Sequence, residues 1–233
     1  MYICIENFYK NLQILNKNQI KYTEDGSTTL YVPEIDETYH SIHGAVQESL
    51  HIFINAGLKE CKAHNINILE VGFGTGLNAF LALIEAEEAN KNIVYTTLEK
   101  YPVSEKIVQQ LNYTKMYSVE YQEYFAKIHS CKWGKTQKIS SHFSIHKIQC
   151  DFTQYNDFQQ YNLIFFDAFS PEKQPEMWSE KMFEKLYKHC QTDAILTTYC
   201  AKGAVRRAMT AAGFKVERLN GPVGKREILR GVK

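Results

Sequence analysis

The sequence predicts a doubly wound α/β fold, in which helices cover both faces of a mostly parallel β-sheet. Predicted strands and helices alternate from about residue 65 onward, which is the pattern of repeated βαβ units. Residues 161–166 are nearly all apolar, as expected of a central parallel strand that is covered on both faces. A glycine-rich turn at residues 72–76 joins a predicted strand to a predicted helix, and sheets of this class bind ligands at such turns.

Length and composition are those of a globular protein with one large domain. The 233 residues are enough to bury a core without disulfides or metal ions. The formal net charge is +1, so a surface that binds nucleic acid has to be a local patch. Six cysteines form no C-x-x-C pair and the histidines form no recognisable metal site, which predicts free thiols, no metal and a cytoplasmic location. No signal peptide and no long apolar run is recognisable, so no membrane association is expected.

The N-terminal part of the chain predicts a hairpin followed by a helix. Strand-forming residues occupy 19–32, with an Asp-Gly-Ser turn in the middle. Residues 33–41 predict an irregular connection, and residues 44–58 predict a helix with one apolar face. The predicted domain boundaries are 1–43 for the N-terminal hairpin extension and 44–233 for the α/β domain.

After the helix at 44–58, the α/β domain is predicted to contain seven strands and four further helices. The strands are expected at residues 66–71, 93–98, 143–148, 161–166, 194–199, 214–219 and 227–232. The helices are expected at residues 77–89, 104–111, 179–189 and 203–212. A turn at 220–224 makes the last two strands a hairpin, which places one C-terminal antiparallel strand in the sheet. Residues 113–141 show no clean period and predict an insertion or a helical excursion.

The glycine-rich turn is the strongest functional signal. Its candidate ligand-binding residues are Glu70, Gly72, Gly74, Gly76 and Asn78. Glycines allow a ligand to approach the backbone, and the helix behind them offers free N–H groups, although tight strand-to-helix turns also use glycine for purely structural reasons. The turn lacks the Gly-Lys-Ser/Thr end of a P-loop and the last glycine of the dinucleotide fingerprint. Its G-x-G-x-G pattern after an acidic residue resembles motif I of Rossmann-type methyltransferases, which bind S-adenosylmethionine.

Three acidic residues follow strands in the order that this cofactor and an amine substrate require. Glu99 ends the second strand of the domain and can accept from both ribose hydroxyls, while Asp151 can accept from the adenine amino group. Asp167 follows the apolar strand, where a carboxylate can orient an amine, accept its proton and stabilise the positive charge that develops on nitrogen. Solvated strand ends and a turn cap are the structural alternatives for these residues.

Several segments together resemble the methyltransferase domain of the MnmC/MnmD family, which makes 5-methylaminomethyluridine, often with a 2-thio group, at the tRNA wobble position. The similar segments are 39–41, 44–49, 72–78, 99–102, 167–171 with Lys173, Pro175, Met177 and Trp178, and then 198–203, 205–207, 212–214 and 224–227. The resemblance implies a Rossmann-type fold, S-adenosylmethionine as cofactor and the anticodon arm of tRNA as partner. Fused members also carry a flavin-dependent oxidase, so this chain is expected to methylate only and to need no FAD. Cys150 departs from the family, which often has Gly before the aspartate.

The resemblance and the positions of aromatic and basic residues suggest the surface that binds substrate. Aromatic stacking on a splayed wobble base is expected from Phe169 or Trp178, in a loop stiffened by Pro171, or from Tyr199 at the end of the next predicted strand. Basic residues concentrate in the last helix and strands and predict a phosphate-binding patch, with a plain solvated surface as the alternative. They are Lys202, Arg206, Arg207, Lys215, Arg218, Lys225, Arg226, Arg230 and Lys233.

Two other functions compete with a tRNA methyltransferase. The first is a methyltransferase of the same fold that acts on a small-molecule amine, against which the basic C-terminal cluster argues. The second is a module that binds a nucleotide without turnover, against which the aspartate loop after the fourth strand argues.

Overall fold

The computed structural model describes residues 18–157 and 159–233. Residues 1–17 of the predicted extension lie outside the described residues. A small antiparallel sheet opens the described chain and consists of β1 (Gln19–Tyr22), β2 (Thr28–Val32) and β3 (Glu37–Thr38), in the order β1-β2-β3. The predicted hairpin is therefore confirmed, and the segment predicted to be irregular contains the short strand β3.

The main sheet has eight strands in the order β10-β11-β9-β8-β4-β5-β7-β6. The strands are β4 (Asn65–Val71), β5 (Asn92–Glu99), β6 (Thr136–Lys138), β7 (Phe143–Gln149), β8 (Tyr161–Phe166), β9 (Cys190–Thr198), β10 (Lys215–Asn220) and β11 (Glu227–Val232). Five neighbouring strands, from β7 to β9, run parallel. β11 lies antiparallel between β9 and β10, so the prediction of a mostly parallel sheet with a C-terminal antiparallel strand is confirmed. β6 adds a second antiparallel strand at the other edge.

Helices cover both faces of this sheet over two separate apolar clusters. The α-helices are α1 (Ala45–Ser49), α2 (Leu77–Glu88), α3 (Glu105–Val108), α4 (Val119–Ser130), α5 (Glu180–Lys188) and α6 (Gly203–Ala211). α1 continues as a π-helix over Leu50–Asn55, so the helix predicted at 44–58 is wound in two ways. Shorter 3₁₀ turns lie at Leu58–Glu60, Tyr113–Met116 and Pro175–Trp178.

The region that gave no clean pattern, residues 113–141, contains a 3₁₀ turn, α4 and β6. α4 packs on α2 through the rings of Phe125 and Phe80, whose centroids are 5.1 Å apart. Its C-terminus is held by Lys147, a buried residue of β7 whose Nζ donates to the carbonyls of Ile128 and His129 at 2.7 Å each. A cation at the end of a helix satisfies the free carbonyls and the negative end of the helix dipole. The helical excursion is therefore fixed to the sheet.

Three observations concern possible membrane, metal and disulfide sites. In the described ranges, none of the helices combines the length and the apolar character needed to cross a bilayer. The same ranges hold no group of three His, Cys, Asp or Glu side chains close enough together to bind a metal ion. The five described cysteines are free thiols, and Cys4 lies outside the described residues.

Candidate active site

A cavity of about 490 Å³ opens at the carboxyl edge of the main sheet, which we define as the carboxyl ends of β4, β5, β7 and β8 and the turns that follow them. The strand order reverses at β4, which has β5 on one side and β8 on the other, and ligands bind at such switch points. Residues 34–49, which we call the N-terminal wall, close the opposite side. The predicted residues that line the cavity are Gly72, Gly74, Asn78, Glu99, Asp151, Asp167, Phe169, Tyr199 and Lys225.

The three glycines of the turn after β4 all have positive φ angles, between 49° and 98°. A Cβ at Gly72 would lie 2.5 Å from the carbonyl oxygen of Asp167, and one at Gly74 would lie 2.8 Å from the Tyr39 ring. A Cβ at Gly76 would lie 2.8 Å from Nε2 of His129. The sequence attributed these glycines to the approach of a ligand, but each one faces a protein neighbour. Gly76 does not line the cavity.

Asp167 lies directly beside this turn. Its backbone N–H donates to the Val71 carbonyl at 3.0 Å, and its Oδ2 accepts from Nδ2 of Asn78 at 2.8 Å. Burial, reinforced by the charge of Glu48, raises the pKa of Asp167 to about 7, although the Asn78 hydrogen bond and Lys225 lower it. Asp167 is only partly exposed, and it lines the cavity at the carboxyl edge of the sheet. It can therefore exchange a proton near neutral pH.

Glu99 ends β5 with both carboxylate oxygens held by backbone donors. The N–H of Gly74 donates to Oε2 at 2.9 Å, and the N–H of Tyr101 donates to Oε1 at 2.8 Å. Burial raises the pKa of Glu99, and these backbone hydrogen bonds oppose the shift. Since a carboxylate offers about four lone-pair sites, each oxygen keeps acceptor capacity toward the cavity. Two adjacent hydroxyl groups, as in a ribose, match this arrangement.

Asp151 is fixed on the far side of the same edge. Its Oδ1 accepts from the backbone N–H and Oγ1 of Thr153 at 2.9 and 2.7 Å, and its Oδ2 accepts from Lys100 Nζ at 2.8 Å. Partial burial raises the pKa of Asp151, but the Lys100 and Thr153 hydrogen bonds outweigh it, so the pKa lies below its usual value. The carboxylate is ionised, and its Oδ2 accepts from Lys100 alone among the described residues.

Sequence comparison identifies the family. A family described as S-adenosyl-L-methionine-dependent methyltransferase matches residues 96–233, which is more than half of the chain. The chain belongs to this family. The solved structure of MNMC2 from Aquifex aeolicus superimposes with a TM-score of 0.76 and 25% identity, over 97% of this chain and 76% of that one. Spermidine synthase from Thermotoga maritima shares the fold at a TM-score of 0.52 and 9% identity, over 91% of this chain and 77% of that one.

Two curated relatives carry the name tRNA 5-methylaminomethyl-2-thiouridine biosynthesis bifunctional protein MnmC. The protein of Idiomarina loihiensis is 27% identical over 93% of this chain and 39% of its own length. The protein of Haemophilus ducreyi is 29% identical over 86% of this chain and 33% of its own length. The chain thus spans between a third and two fifths of the length of these relatives.

The residues of the cavity fit the cofactor of the methyltransferase family. The carboxylate of Glu99 has acceptor capacity for a ribose diol on both oxygens. The Oδ1 atom of Asn78 is buried beside the cavity and accepts no hydrogen bond from the described residues, so it is available to a donor group of a ligand. In a largely apolar pocket, a few polar groups that are held in place fix the orientation of the ligand.

Glu70 lies beneath the cavity and does not line it. The side chain is fully buried, and Oγ1 of Thr97 donates to its Oε2 at 2.7 Å. Burial, together with the charge of Asp167, raises the pKa of Glu70 to about 8 despite the Thr97 hydrogen bond. Glu70 therefore supports the methyltransferase cavity from below, between β4 and β5.

The three aromatic candidates differ in their surroundings. Phe169 and Tyr199 line the cavity, and the Tyr199 hydroxyl donates to the Ala168 carbonyl at 2.9 Å. Trp178 is 5% exposed, packs against Phe166 and donates through Nε1 to the Phe169 carbonyl at 2.8 Å. Of the three candidates for base stacking, Trp178 thus has its ring enclosed in the core, whereas the other two face the cavity. Pro171, half-buried, also lies outside the cavity lining.

The predicted basic patch is divided by ion pairs. Lys225 points into the cavity, where its Nζ lies 3.0 Å from Oε1 of Glu48. Arg230 is mostly buried and pairs with Glu217 and Glu60, so it is not part of a free basic surface. Four exposed side chains of this basic patch have no ion-pair partner within the described residues. They are Arg206, Arg207, Lys215 and Arg226.

The N-terminal wall contributes side chains that the sequence did not assign to the site. The Tyr39 ring lies against the Phe169 ring with centroids 5.0 Å apart, and Oε2 of Glu37 accepts from the Ser170 N–H at 3.3 Å. Glu48 faces the cavity from α1. The segments that contain Tyr39 and Glu48 resemble the MnmC/MnmD family, and that resemblance was the available signal, whereas Glu37 lies outside them. Nothing in the local pattern places a hairpin extension over the carboxyl edge of a sheet.

Proposed function

We propose that this chain methylates the amino group of 5-aminomethyl-(2-thio)uridine at the tRNA wobble position, with S-adenosylmethionine as methyl donor. The product is 5-methylaminomethyl-(2-thio)uridine. The observation that carries the proposal is a carboxylate with a pKa of about 7, Asp167, in the same cavity as the glycine turn and Glu99. The similarity to MNMC2 and to the MnmC proteins supports the choice of substrate. A tRNA substrate would place the reaction in the cytoplasm.

Each predicted cofactor residue receives a role that its geometry supports. Glu99 would hold the ribose hydroxyls, and Asp151 would accept from the adenine amino group through the remaining capacity of its oxygens. The turn with Gly72 and Gly74 would lie along the methionine part, with the Asn78 amide beside it. When bound, the cofactor supplies an electrophilic methyl carbon on a positively charged sulfur. Gly76 and Glu70 would act only by shaping the turn.

Asp167 would position the amine and take its proton. An ammonium has no lone pair, so a proton must first pass from nitrogen to a base, here the Asp167 carboxylate. The nitrogen lone pair would then form the N–C bond while the C–S bond breaks, and the electron pair of the C–S bond would stay on sulfur. The new secondary ammonium is stabilised by the negative charges around it until it releases a proton to solvent. Because the sulfonium is already reactive, most of the rate gain would come from positioning.

The tRNA would bind through phosphate contacts outside the cavity and through one base inside it. Arg206, Arg207 and Arg226 are exposed and unpaired within the described residues, so they can bind phosphates of the anticodon arm. A wobble base that has left the stack would lie against the rings of Phe169 and Tyr199. Pro171 would act by stiffening the loop that carries Phe169.

Methyl transfer to defined tRNAs tests the proposal. Labelled S-adenosylmethionine is incubated with tRNA that carries 5-aminomethyluridine, and with the same tRNA that carries plain uridine at this position. Mass spectrometry of the digested nucleosides should show 5-methylaminomethyluridine from the first tRNA and no methylated product from the second. Binding of either tRNA should weaken as salt is added, because phosphate contacts release counterions.

The competing functions predict different results in the same assay. Equal labelling of both tRNAs would overturn the substrate assignment. Transfer to free aminomethyl nucleoside or to a polyamine at a higher kcat/KM than to tRNA would identify a small-molecule methyltransferase. Cofactor binding with no transfer to any amine would indicate a module without turnover.

A further inference from the structure

Glu48, Lys225 and Asp167 bring three ionisable groups together in the cavity, of which the mechanism above uses only Asp167. Glu48 extends from α1 and its side chain is 10% exposed. Lys225 extends from the turn between β10 and β11, and its Nζ lies 3.0 Å from Oε1 of Glu48. The Glu48 carboxylate is therefore largely removed from water, whereas the Lys225 side chain stays 29% exposed, and hydration lost by a buried charge has to be replaced by other partners.

The ammonium of Lys225 lies in a site that recognises cations. Its Nζ is 4.7 Å from the centroid of the Tyr199 ring, in addition to its contact with the Glu48 carboxylate. Aromatic faces and carboxylates are the two groups that bind ammonium ions most directly. The site therefore has the chemistry to hold an ammonium group other than that of Lys225.

The carboxylate of Glu48 is held rigidly. Its Oε2 accepts from the Ser41 N–H at 2.8 Å. The start of α1 is fixed in turn by Asp25, whose Oδ2 accepts from the Gln47 N–H at 3.0 Å, and by Ser27, whose Oγ accepts from the Ala45 N–H at 3.2 Å. A preorganised charge is worth more to a ligand than one that has to be ordered on binding.

Glu48 and Lys225 also act on Asp167 electrostatically. The charge of Glu48 raises the pKa of Asp167 and the charge of Lys225 lowers it, so both groups lie within electrostatic reach of the proton acceptor. All three side chains line the same cavity as Tyr199. An ammonium held by Glu48 and Tyr199 therefore lies in the same cavity as Asp167, and Tyr199 itself donates to the carbonyl of Ala168, the residue after Asp167.

We propose that Glu48 and the Tyr199 ring bind the protonated aminomethyl group of the substrate, and that the Lys225 ammonium occupies this site until the substrate replaces it. The inference rests on the proposed function, since it concerns the same amine. The ammonium then gives one proton to the Asp167 carboxylate, which becomes a neutral carboxyl group, and the neutral amine keeps the lone pair for methyl transfer. Glu48 thereby selects an amine over an uncharged group of similar size.

Binding of two matched RNAs tests the inference without turnover. The probes are anticodon stem-loops that carry 5-aminomethyluridine or 5-hydroxymethyluridine at the wobble position, so they differ in one ionisable group. Wild-type protein should bind the amine RNA about tenfold more tightly, because a charged hydrogen bond contributes that much. Glu48→Gln should reduce this ratio to nearly one. Glu24→Gln, the same change at an exposed residue of the N-terminal region, should keep the wild-type ratio.

Lys225→Met gives an independent result. Removal of the competing ammonium should raise the affinity ratio above the wild-type value. An unchanged ratio in Glu48→Gln, or a lower ratio in Lys225→Met, would overturn the inference. A Glu48→Gln protein that fails to fold would be recognised by its thermal unfolding, and the Lys225→Met result then decides. If wild-type protein transfers no methyl group to the amine RNA, the proposed function fails, whereas normal transfer with an unchanged Glu48→Gln ratio refutes this inference alone.

Discussion

The carboxyl edge of the sheet and the N-terminal wall face each other across one cavity, but different interactions hold them in place. At the edge, a Cβ at Gly72 would lie only 2.5 Å from the carbonyl oxygen of Asp167. The N–H of Asp167 donates a hydrogen bond to the carbonyl of Val71. These are backbone contacts between neighbouring parallel strands. The wall is held by side chains, such as Asp25, which accepts from the Gln47 N–H at the start of α1.

The carboxyl edge and the N-terminal wall would also have different tasks, namely cofactor binding with proton exchange and substrate binding. The edge groups are fixed by the sheet itself, and they are the ones that would bind the cofactor and exchange the proton. The wall supplies Glu48 and Tyr39, which would meet the substrate. Changes at the edge are therefore expected to alter kcat or cofactor affinity strongly, and changes in the wall are expected to alter substrate affinity or stability by smaller amounts.

The largest effect is expected for Asp167→Asn at the edge. Loss of the proton acceptor should lower kcat by about 10²–10⁴-fold, the usual contribution of a general base. Cofactor affinity, measured by calorimetry, should fall much less than kcat, because Asn keeps the shape of the side chain and only the negative charge near the sulfonium is lost. Asp193→Asn is a matched control, since this exposed residue has a φ of 60° that Asn also adopts. Wild-type kcat in Asp167→Asn would remove Asp167 from the chemistry.

The pH dependence of kcat sharpens the same prediction. The pKa of Asp167 is raised from 3.8 to about 7 in the folded protein, so the carboxylate is neutral below this value and able to accept a proton above it. kcat should therefore rise with pH and reach half its maximum at or below about pH 7, because the sulfonium charge of a bound cofactor favours the carboxylate. A flat profile between pH 5.5 and 8 would contradict this assignment.

Gly72→Ala tests whether the edge depends on backbone contact. A Cβ 2.5 Å from the Asp167 carbonyl oxygen, at a φ of 98°, requires the ends of β4 and β8 to separate. Overpacking of this kind costs about 3 kcal/mol, which corresponds to a loss of about 100-fold in cofactor affinity if the strain falls on the bound site. Gly26→Ala is the control, since Gly26 also has a positive φ of 81° but has no atom within 4 Å of the added Cβ. Equal affinity losses in the two variants would show that only backbone strain matters.

The edge is also the part that could be predicted from sequence, because strand ends and glycines are local signals. Glu99 ends a predicted strand and Asp167 follows another, and the parallel sheet brings such strand ends to one edge. The wall could not be derived in this way, since the contact between Asp25 and α1 joins residues 22 positions apart through side chains. The choice among the three aromatic candidates was open for a related reason. An aromatic residue in a loop gives no local sign of whether its ring faces the cavity or the core.

Lys147 and Lys225 show the same limit for charged residues. The alternation of its strand places Lys147 on the same face as Phe143 and Ile145, but it does not reveal the partner of the charge: Lys147 is 1% exposed and holds the C-terminus of α4. Lys225 reads as one of a group of surface cations, but it pairs with Glu48 inside the cavity. In both cases the partner comes from a distant element. The sequence therefore shows where the charged residues are, but only the tertiary structure shows which groups they pair with.

Glu99→Gln is expected to have an intermediate effect on the cofactor. The amide keeps one acceptor oxygen, but its NH₂ group meets a backbone N–H of Gly74 or Tyr101, and one acceptor for a ribose hydroxyl is lost. Loss of a charged hydrogen bond costs about 1.5–3 kcal/mol, or about 10- to 100-fold in the dissociation constant measured by calorimetry. Glu105→Gln, at an exposed residue of α3, should leave the constant unchanged. An unchanged constant in Glu99→Gln would exclude Glu99 as a cofactor ligand.

The smallest effect is expected for Asp25→Ala, which removes a side-chain contact that holds the N-terminal wall. Asp25 accepts from Thr23, Ser27 and the Gln47 N–H, so its loss resembles the loss of a helix cap and should cost about 1 kcal/mol of unfolding free energy. This corresponds to about 2–4 °C in Tm for a chain of this size.

The pH dependence of that loss identifies its origin. Burial raises the pKa of Asp25, but its hydrogen bonds outweigh burial and hold the pKa below 3.8, so the stabilisation is present at neutral pH and is lost as the pH falls through the folded-state pKa. The difference in Tm between wild type and Asp25→Ala should therefore shrink at acidic pH, while Glu24→Ala, at the exposed neighbouring residue, shows little difference at either pH. If Asp25→Ala instead lowered cofactor affinity as much as Glu99→Gln, the wall and the edge would form one cooperative unit, and their separate tasks would have to be abandoned.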